Sequence, residues 1–249
     1  MFPLRDENPT IRTPWATYII IGINICVWLL VEGAGSLPQL AKALCLYSLI
    51  PGDLLGTAPI GTVIPITQNL NCVIDQQNTL STLITHAFLH GGWFHIIANL
   101  WFLWVFGDNV EDSMGSGRFV AFYLLCVLAA AAAQIISNPS TVSPMVGASG
   151  AIGGVMGAYA RLYPKVRVHT LIFIGVFFTT AEIPALLMLG YWFVLQIISG
   201  IPAIGGVSGV AFWAHAGGFA AGLFLAEIMH REDYLNQHKR IYPEVNNPE

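Results

Sequence analysis

The chain has 249 residues, of which 55% are hydrophobic and 10% are charged, and its formal net charge is −4. Its mean hydropathy is +0.65. Because a soluble domain carries about 25% charged residues, this composition excludes an ordinary soluble globular protein and indicates a polytopic membrane protein. We expect an all-α fold in the lipid bilayer, with no nucleic-acid partner and no cofactor.

The first residues form a short hydrophilic segment. Residues 1–13 mix charges of both signs with prolines, and the apolar segment that follows has no small-residue cleavage site. We therefore expect a cytoplasmic amino-terminal tail over 1–13 and no cleaved signal peptide.

Six apolar segments follow, each close to the length of about 20 residues that crosses a bilayer as a helix. They cover residues 14–31, 80–106, 118–137, 147–163, 184–200 and 210–230. The sequence therefore predicts a six-span membrane domain over 14–230 and a short cytoplasmic carboxyl-terminal tail over 231–249, with no appended soluble domain.

A further apolar stretch, 168–181, precedes the fifth span. It has roughly 14 residues, too few to cross a bilayer, and the sequence Glu182-Ile183-Pro184 separates it from the next span. We predict a short re-entrant or interfacial segment there.

The basic residues fall almost entirely on one side of the six predicted spans. Only Lys42 lies on the other side. The remaining nine, in the tails and in the second and fourth loops, are Arg5, Arg12, Arg118, Arg161, Lys165, Arg167, Arg231, Lys239 and Arg240. By the positive-inside rule, both termini are cytoplasmic and loops one, three and five face outward. We expect a multi-pass protein of the cell membrane of a prokaryote.

Two reactive side chains enter the membrane from the same, outward side. Ser149 opens the fourth predicted span, and His215 lies about a turn and a half inside the sixth. Such groups are costly in a bilayer and indicate a functional site by default. The fourth span is only about 17 residues, or roughly 25 Å, so Ser149 is expected in a water-filled recess below the outer surface. We interpret Ser149 as a nucleophile and His215 as its general base and acid.

Glycines on the fourth and sixth spans repeat at a spacing of four residues. The pairs are Gly150 with Gly154, Gly153 with Gly157, and Gly218 with Gly222. On its own this pattern indicates only helix packing. Here the close approach it allows would also bring Ser149 and His215 together. Ala151 departs from the Gly-x-Ser-x-Gly motif of soluble hydrolases, so that fold is not supported.

His95 and Asn99 lie four residues apart on one face of the second span. Two neutral donors aimed at one point suit a developing oxyanion, and the backbone amides of Ser149 and Gly150 are further candidates. The alternative is an interhelical hydrogen bond worth under about 2 kcal/mol.

His86 and His90 are also four residues apart, a spacing that invites a metal interpretation. His90 and His95, however, are five apart and lie on different helix faces. We expect no metal site and a structural role for His86 and His90 near the outer surface.

Several motifs resemble those of the rhomboid intramembrane serine proteases. They are Pro-Leu-Arg-Asp-Glu-Asn-Pro-Thr at the start, His90-Gly-Gly-Trp-Phe-His95-Ile-Ile-Ala-Asn99, Phe106-Gly-Asp-Asn-Val-Glu-Asp, Gly147-Ala-Ser149-Gly150 and Ala214-His215-Ala-Gly-Gly218. The resemblance implies a rhomboid-like six-helix bundle, a Ser149–His215 dyad with no acidic third member, and an oxyanion site that uses His95 and Asn99. It also implies cleavage of the transmembrane segments of other proteins near the outer face.

The resemblance further implies that the loop around 200–209 caps the site, and that Trp192 and Phe193 on the fifth span lie beside the substrate entrance. The region of Glu111 looks like the acidic loop anchor of the family. Two positions depart from the family pattern: Gly153 stands where many relatives have a tyrosine that stacks on the catalytic histidine, and the first loop has no Trp-Arg pair.

The sequence does not fit two other classes of protease. The His-Glu-x-x-His motif of metalloproteases is absent, and the spans do not offer two facing acids for an aspartyl protease. A catalytically silent relative that binds transmembrane helices as a chaperone or quality-control factor, or a transporter, stays an alternative.

The four cysteines divide into two groups. Cys26 and Cys126 lie within spans and are most simply small apolar side chains. Cys45 and Cys72 fall in the outward first loop, where an oxidising compartment permits either a disulfide or free thiols.

Overall fold

The computed structural model describes residues 1–66, 70–75, 79–174, 177–202 and 211–246. Its helices are α1 Trp15–Leu30, α2 Leu37–Tyr47, α3 Pro51–Leu54, α4 Thr82–Thr85, α5 Trp93–Met114, α6 Ser116–Ser137, α7 Ser149–Leu162, α8 Ala185–Gly200, α9 Phe212–Met229, α10 Glu232–Ile241 and α11 Pro243–Asn246. Its strands are β1 Phe2–Asp6, β2 Val63–Pro65, β3 Asn71–Val73, β4 Arg167–Ile174 and β5 Phe177–Pro184.

Each predicted span contains or overlaps one of the longer helices. Among the described residues, α6 and α9 are long and apolar enough to cross a membrane by length and composition, while α1 and α8 are apolar but shorter. The boundaries predicted for the second span, 80–106, are wrong. Its helix α5 begins at Trp93, after two consecutive glycines that disfavour helix, and continues to Met114.

The central helix is α7, which packs against α5, α6, α8 and α9. Twelve of its 14 residues are buried, which its glycine- and alanine-rich sequence permits because small side chains let neighbouring backbones approach. Since Ser149 is the first residue of α7, the burial of this helix fixes the position of the serine.

The all-α prediction is wrong, because the described residues include the five strands β1 to β5, of which β4 and β5 are the longest. Strands β4 and β5 pair antiparallel, with Thr170 opposite Ala181, and β1 adds to β4 to complete a sheet in the order β1-β4-β5. The segment predicted as re-entrant or interfacial, 168–181, therefore makes strand pairs. Its many β-branched and aromatic residues favour this structure.

The sheet is held against the helices through β1. The Phe2 ring stacks on Trp101 of α5, with centroids 6.1 Å apart, and the Trp101 indole N–H donates to the carbonyl of Pro3 at 2.7 Å. Tyr159 of α7 donates its hydroxyl proton to Asp6 at 2.5 Å. The segment predicted as an amino-terminal tail is thus packed on the bundle.

The two terminal segments also contact each other. Asp112 accepts hydrogen bonds from the backbone amides of Ile11 and Arg12 at 3.1 and 2.9 Å. The Arg12 guanidinium lies over the ring of Tyr234, 3.5 Å from its centroid. These contacts connect the start of the chain to α5 and α10.

Glu111 is the buried anchor of this end of the bundle. Its carboxylate accepts hydrogen bonds from the backbone amides of Ala16 and Thr17 at 2.9 and 2.7 Å. These amides belong to the first turn of α1, whose N–H groups have no partner within their own helix. Glu111 therefore caps α1, where the sequence had indicated a loop anchor.

The first loop carries a disulfide between Cys45 of α2 and Cys72 of β3. The sequence left the disulfide and the free thiols open, and the structure selects the disulfide. Cys126 of α6 is buried in the apolar core and Cys26 of α1 is exposed on the surface of the protein.

Glu32, just after α1, joins this loop to the start of the second predicted span. Its side chain is fully buried and accepts a hydrogen bond from the backbone amide of His90 at 2.8 Å. Burial raises the pKa of Glu32 from 4.5 to about 7, because an ionised carboxylate loses its hydration there. The protonated carboxyl stabilises the fold fully below pH 4.5, and this stabilisation is lost as the pH rises through about 7.

Replacing Glu32 with Gln keeps an oxygen that can accept the hydrogen bond and removes the charge. We expect Glu32→Gln to raise the melting temperature over the wild type by a few degrees at pH 8 and by much less at pH 5. Thermal unfolding in detergent, followed by tryptophan fluorescence at both pH values, measures this difference. Since His90 is present in both proteins, its titration cancels. A difference that is the same at pH 5 and pH 8 would show that Glu32 does not titrate as described.

Candidate active site

Ser149 and His215 meet at one end of the helical bundle. Ser149 begins α7, and His215 lies in the first turn of α9. The Ser149 Oγ and the His215 Nε2 are 2.7 Å apart, which is a hydrogen-bond distance. Two residues that are 66 positions apart in the sequence are thus in the contact that a nucleophile needs with its base.

The close approach of α7 and α9 depends on glycine, as the spacing predicted. A Cβ on Gly218 would collide with the carbonyl oxygen of Gly150, and one on Gly222 with the carbonyl oxygen of Gly154. One turn of each helix therefore packs directly on the backbone of the other. Because these contacts begin within one helical turn after Ser149 and His215, they set the distance between the two side chains.

Trp192 of α8 covers the imidazole. The ring centroids of Trp192 and His215 are 5.8 Å apart, with a tilt of 37° between the planes. A Cβ on Gly153 would lie 3.6 Å from the tip of the indole. The indole from α8 therefore fills the space beside Gly153 that many relatives are expected to fill with a tyrosine.

Phe193, like Trp192, packs against α9. Its ring stacks on Phe219 of α9, with centroids 4.7 Å apart and planes at 20°. Both residues that the resemblance placed at the substrate entrance thus join α8 to α9 in this structure.

Gln196 of α8 makes the second polar contact of the imidazole. Its Oε1 lies 2.9 Å from the Nδ1 of His215. Gln196 is not among the site residues predicted from the sequence. The available signal was its spacing of four from Trp192, which puts both side chains on one face of α8.

His95 lies on the other side of Ser149. Its Nδ1 accepts a hydrogen bond from the backbone amide of Gly91 at 3.2 Å, so its Nε2 carries the proton in the neutral ring. A Cβ on Gly147 would lie 2.8 Å from this Nε2 and 3.5 Å from Ser149 Oγ. A position within reach of both a donor and the nucleophile is where a reacting carbonyl group would sit.

This position is open because Gly147 has no side chain. Other residues are also disfavoured there, since the φ of Gly147 is +120°, a value that they rarely adopt. Its amide donates to the carbonyl of His86 at 2.9 Å, while the Nδ1 of His86 contacts the carbonyl of Thr82 at 2.8 Å. His86 and His90 are both buried, and His86 also lines the cavity that contains Ser149; the structural role suggested by the sequence stays a prediction.

Asn99 is buried on α5, one turn below His95. Its Nδ2 donates to the carbonyl of His95 at 2.8 Å, and its side chain lines the same cavity as Ser149 and His215. An amide nitrogen carries two protons, so one N–H is committed to the helix and the second is available to the cavity.

The cavity has a volume of about 450 Å³. Its wall includes residues of α5, α6, α7, α8 and α9, among them Ser149, His215, His95, Asn99 and Trp192. This volume is at the scale of ligand-binding clefts. Most of the loop expected to cap it, 200–209, lies outside the described residues.

A separate polar cluster lies on the sheet. Glu7, His169 and Glu182 each place one potential ligand atom within 4.8 Å of the others. His169 Nε2 contacts Glu7 at 2.8 Å, and Arg167 pairs with Glu182 at 3.2 Å. This cluster is a network of polar contacts at the protein surface that includes one Arg–Glu ion pair.

Comparisons with known proteins agree with the motifs. A family model described as the Rhomboid domain matches residues 77–232. Rhomboid protease GluP of Bacillus subtilis is 30% identical over 212 residues, which are 85% of this chain and 36% of that protein. Rhomboid protein 1, mitochondrial, of Saccharomyces cerevisiae is 25% identical over 160 residues, 63% of this chain and 39% of that protein.

A third relative aligns over more of its own length. RHOMBOID-like protein 5 of Arabidopsis thaliana is 25% identical over 241 residues, 91% of this chain and 72% of that protein. The chain thus covers less than two fifths of the yeast and Bacillus proteins, at 39% and 36%.

Proposed function

This chain belongs to the rhomboid family of integral membrane proteins, and we infer that it is a serine endopeptidase that cuts inside the membrane. Its substrates are other membrane proteins, hydrolysed at peptide bonds in or next to their transmembrane segments. The observation that carries this inference is the 2.7 Å contact between Ser149 Oγ and His215 Nε2 in an open cavity.

The reaction follows from the groups present. The Ser149 oxygen attacks the carbonyl carbon of the substrate while His215 Nε2 accepts the hydroxyl proton. The imidazolium then returns this proton to the leaving amine, and a water molecule hydrolyses the acyl-enzyme by the same route. Among the described residues, no carboxylate contacts His215. This fits a dyad of serine and histidine, and we expect a slow enzyme.

Negative charge on the substrate oxygen would be stabilised beside Ser149. The protonated Nε2 of His95 and the second N–H of Asn99 are the side-chain donors, and the backbone amides of Ser149 and Gly150 are further candidates. Donors that are already in place need no reorganisation during the reaction.

We propose that the protein crosses a prokaryotic cell membrane six times and that both termini are cytoplasmic. The six spans are α1, α5, α6, α7, α8 and α9. The cavity then opens outward, and Trp192 and Phe193 of α8 lie beside the lateral entrance for a substrate helix. The exposed apolar side chains along α1 and α8, such as Ile19 and Leu187, support contact with lipid.

Asn99→Ala tests the oxyanion site. We expect kcat to fall by up to about 10² to 10³, because a donor to the developing oxyanion is lost. The initial rate of cleavage of a single-span substrate in detergent measures the change. Asn138→Ala, on the loop after α6, is the control and should keep the wild-type rate. A rate for Asn99→Ala within assay scatter of the wild type would remove Asn99 from this role.

Incubation of the purified protein with single-span substrates in liposomes tests the proposed function itself. We expect two products whose masses locate the cut in or next to the transmembrane segment. A catalytically silent relative would instead retain the intact substrate without cutting it. Stable binding with no products at any substrate concentration would therefore favour that alternative over the protease.

A further inference from the structure

We propose that Gln196 is a positioning residue that selects the catalytic tautomer of His215, and that α8 thereby controls the base. The inference rests on the proposed protease function. It begins from the 2.9 Å contact between Gln196 Oε1 and His215 Nδ1, which lies on the opposite side of the ring from the contact with Ser149.

The orientation of the Gln196 amide in the structure decides the tautomer. Its carbonyl oxygen, and not its NH₂ group, faces Nδ1 of His215. Since a carbonyl oxygen only accepts hydrogen bonds, Nδ1 carries the proton. In a neutral imidazole this leaves Nε2 with its lone pair free. That lone pair faces Ser149 Oγ at 2.7 Å, as a general base requires.

Gln196 and Trp192 restrain different motions of the same ring. The indole of Trp192 lies against a face of the imidazole, which limits its tilt. The hydrogen bond from Nδ1 to Gln196 fixes which edge of the ring faces Ser149, because a rotation of 180° about the Cβ–Cγ bond, which would exchange the two edges, breaks it. Together they take over the orienting role that an acidic third residue or a stacked tyrosine would have.

Both contacts come from one turn of α8. Since α8 also carries Phe193, which stacks on Phe219 of α9, the position of α8 relative to α9 determines whether the imidazole is held. A displacement of α8 away from α9 would release the ring and leave Ser149 without a correctly oriented base. The entry of substrate beside α8 and the orientation of His215 are therefore coupled.

The variants are chosen to separate the hydrogen bond from packing. Gln196→Met keeps a similar length and removes the acceptor. Gln196→Glu restores an acceptor and adds a charge. Leu195→Ala, on the same helix with a 38% exposed side chain, is the matched control. His95 is the titratable group on α5 that faces His215 and stays unchanged in all three variants.

We expect Gln196→Met to lower kcat by about 10- to 100-fold, with an unchanged KM for a single-span substrate and an unchanged melting temperature. Gln196→Glu should recover most of kcat and move the acid limb of the kcat/KM profile to higher pH, because a nearby carboxylate favours the imidazolium form. Leu195→Ala should match the wild type in kcat and in the pH profile of kcat/KM.

The outcomes separate the two proposals. If Gln196→Met keeps the wild-type kcat, Gln196 only packs and the inference is wrong. The same holds if Gln196→Met and Gln196→Glu lower kcat equally and have the same pH profile. If Gln196→Met unfolds, the Glu variant alone decides, since a shifted acid limb supports the inference and an unshifted one contradicts it. Cleavage that persists in Ser149→Ala would instead reject the protease function itself.

Discussion

Ser149→Ala is expected to abolish peptide-bond hydrolysis while the protein stays folded. Loss of the nucleophile in a serine protease lowers kcat by about 10⁶-fold, which is below detection for a slow enzyme. The stability cost is small, because among the described residues the Ser149 hydroxyl makes one hydrogen bond, to His215, and such a bond is worth about 1 kcal/mol. Cleavage of a single-span substrate and thermal unfolding of the same preparation measure the two quantities.

Ser137→Ala is the matched control for this experiment. Ser137 ends α6, and its hydroxyl donates to the carbonyl of Gln134 at 3.0 Å, so its removal costs a comparable bond away from the dyad. We expect full activity in this variant. Residual cleavage by Ser149→Ala above that of a mock preparation would mean that another group is the nucleophile.

Gly222→Ala is expected to destabilise the fold by about 3 kcal/mol and to lower kcat/KM by about 10²-fold. The added Cβ collides with the carbonyl oxygen of Gly154. A backbone atom cannot move aside like a flexible side chain, and overpacking of this kind costs typically 1–3 kcal/mol. Separation of α7 and α9 by about 1 Å would misplace Ser149 relative to His215, and a misplacement of that size costs about 10²-fold in rate.

Gly22→Ala supplies the control for this substitution. Gly22 lies within α1, and a Cβ added there meets no atom within 4 Å, so the same change should be neutral or slightly stabilising. Thermal unfolding and the cleavage rate are compared for the two variants. Equal melting temperatures for Gly222→Ala and Gly22→Ala would contradict the backbone contact between α7 and α9.

The dyad and the glycine contacts could be predicted from the sequence because both follow from spacing. Gly218 and Gly222 repeat at the interval that one helix face requires, and Ser149 and His215 both lie near the outward ends of their predicted spans. Helix periodicity and the positive-inside rule are local or additive properties. The structure places Ser149 beside His215 and packs the glycines of α9 on the backbone of α7, as the sequence predicted. The catalytic roles of Ser149 and His215 stay a proposal.

The surroundings of His215 could not be predicted in the same way. Gly153 left the orientation of the imidazole open, and the groups that contact the ring, Trp192 and Gln196, come from α8. Which face of α8 points to α9 depends on the rotation of one helix against another, which packing of the whole bundle determines. The sequence indicated Trp192 near the site but not its contact with the histidine.

The sheet and the start of α5 were missed for a different reason. Periodicity alone does not distinguish a short apolar strand from a short apolar helix, so the hydropathy of 168–181 indicated only a segment too short to cross the bilayer. Its partner strand β1 lies more than 160 residues away in sequence, as the pair of Phe2 with Leu171 shows. For α5, the hydropathy of 80–106 concealed the break at Gly91 and Gly92, so the span was predicted to begin too early.

Labelling with a serine-directed fluorophosphonate tests the central claim most directly. The reagent needs a hydroxyl activated by a base, so it reports on Ser149 and His215 together and requires no knowledge of the natural substrate. We expect one adduct per chain, located at Ser149 by mass spectrometry of the digested protein, and no adduct in Ser149→Ala or His215→Ala. An adduct at another residue, or equal labelling of wild type and His215→Ala, would contradict the assignment.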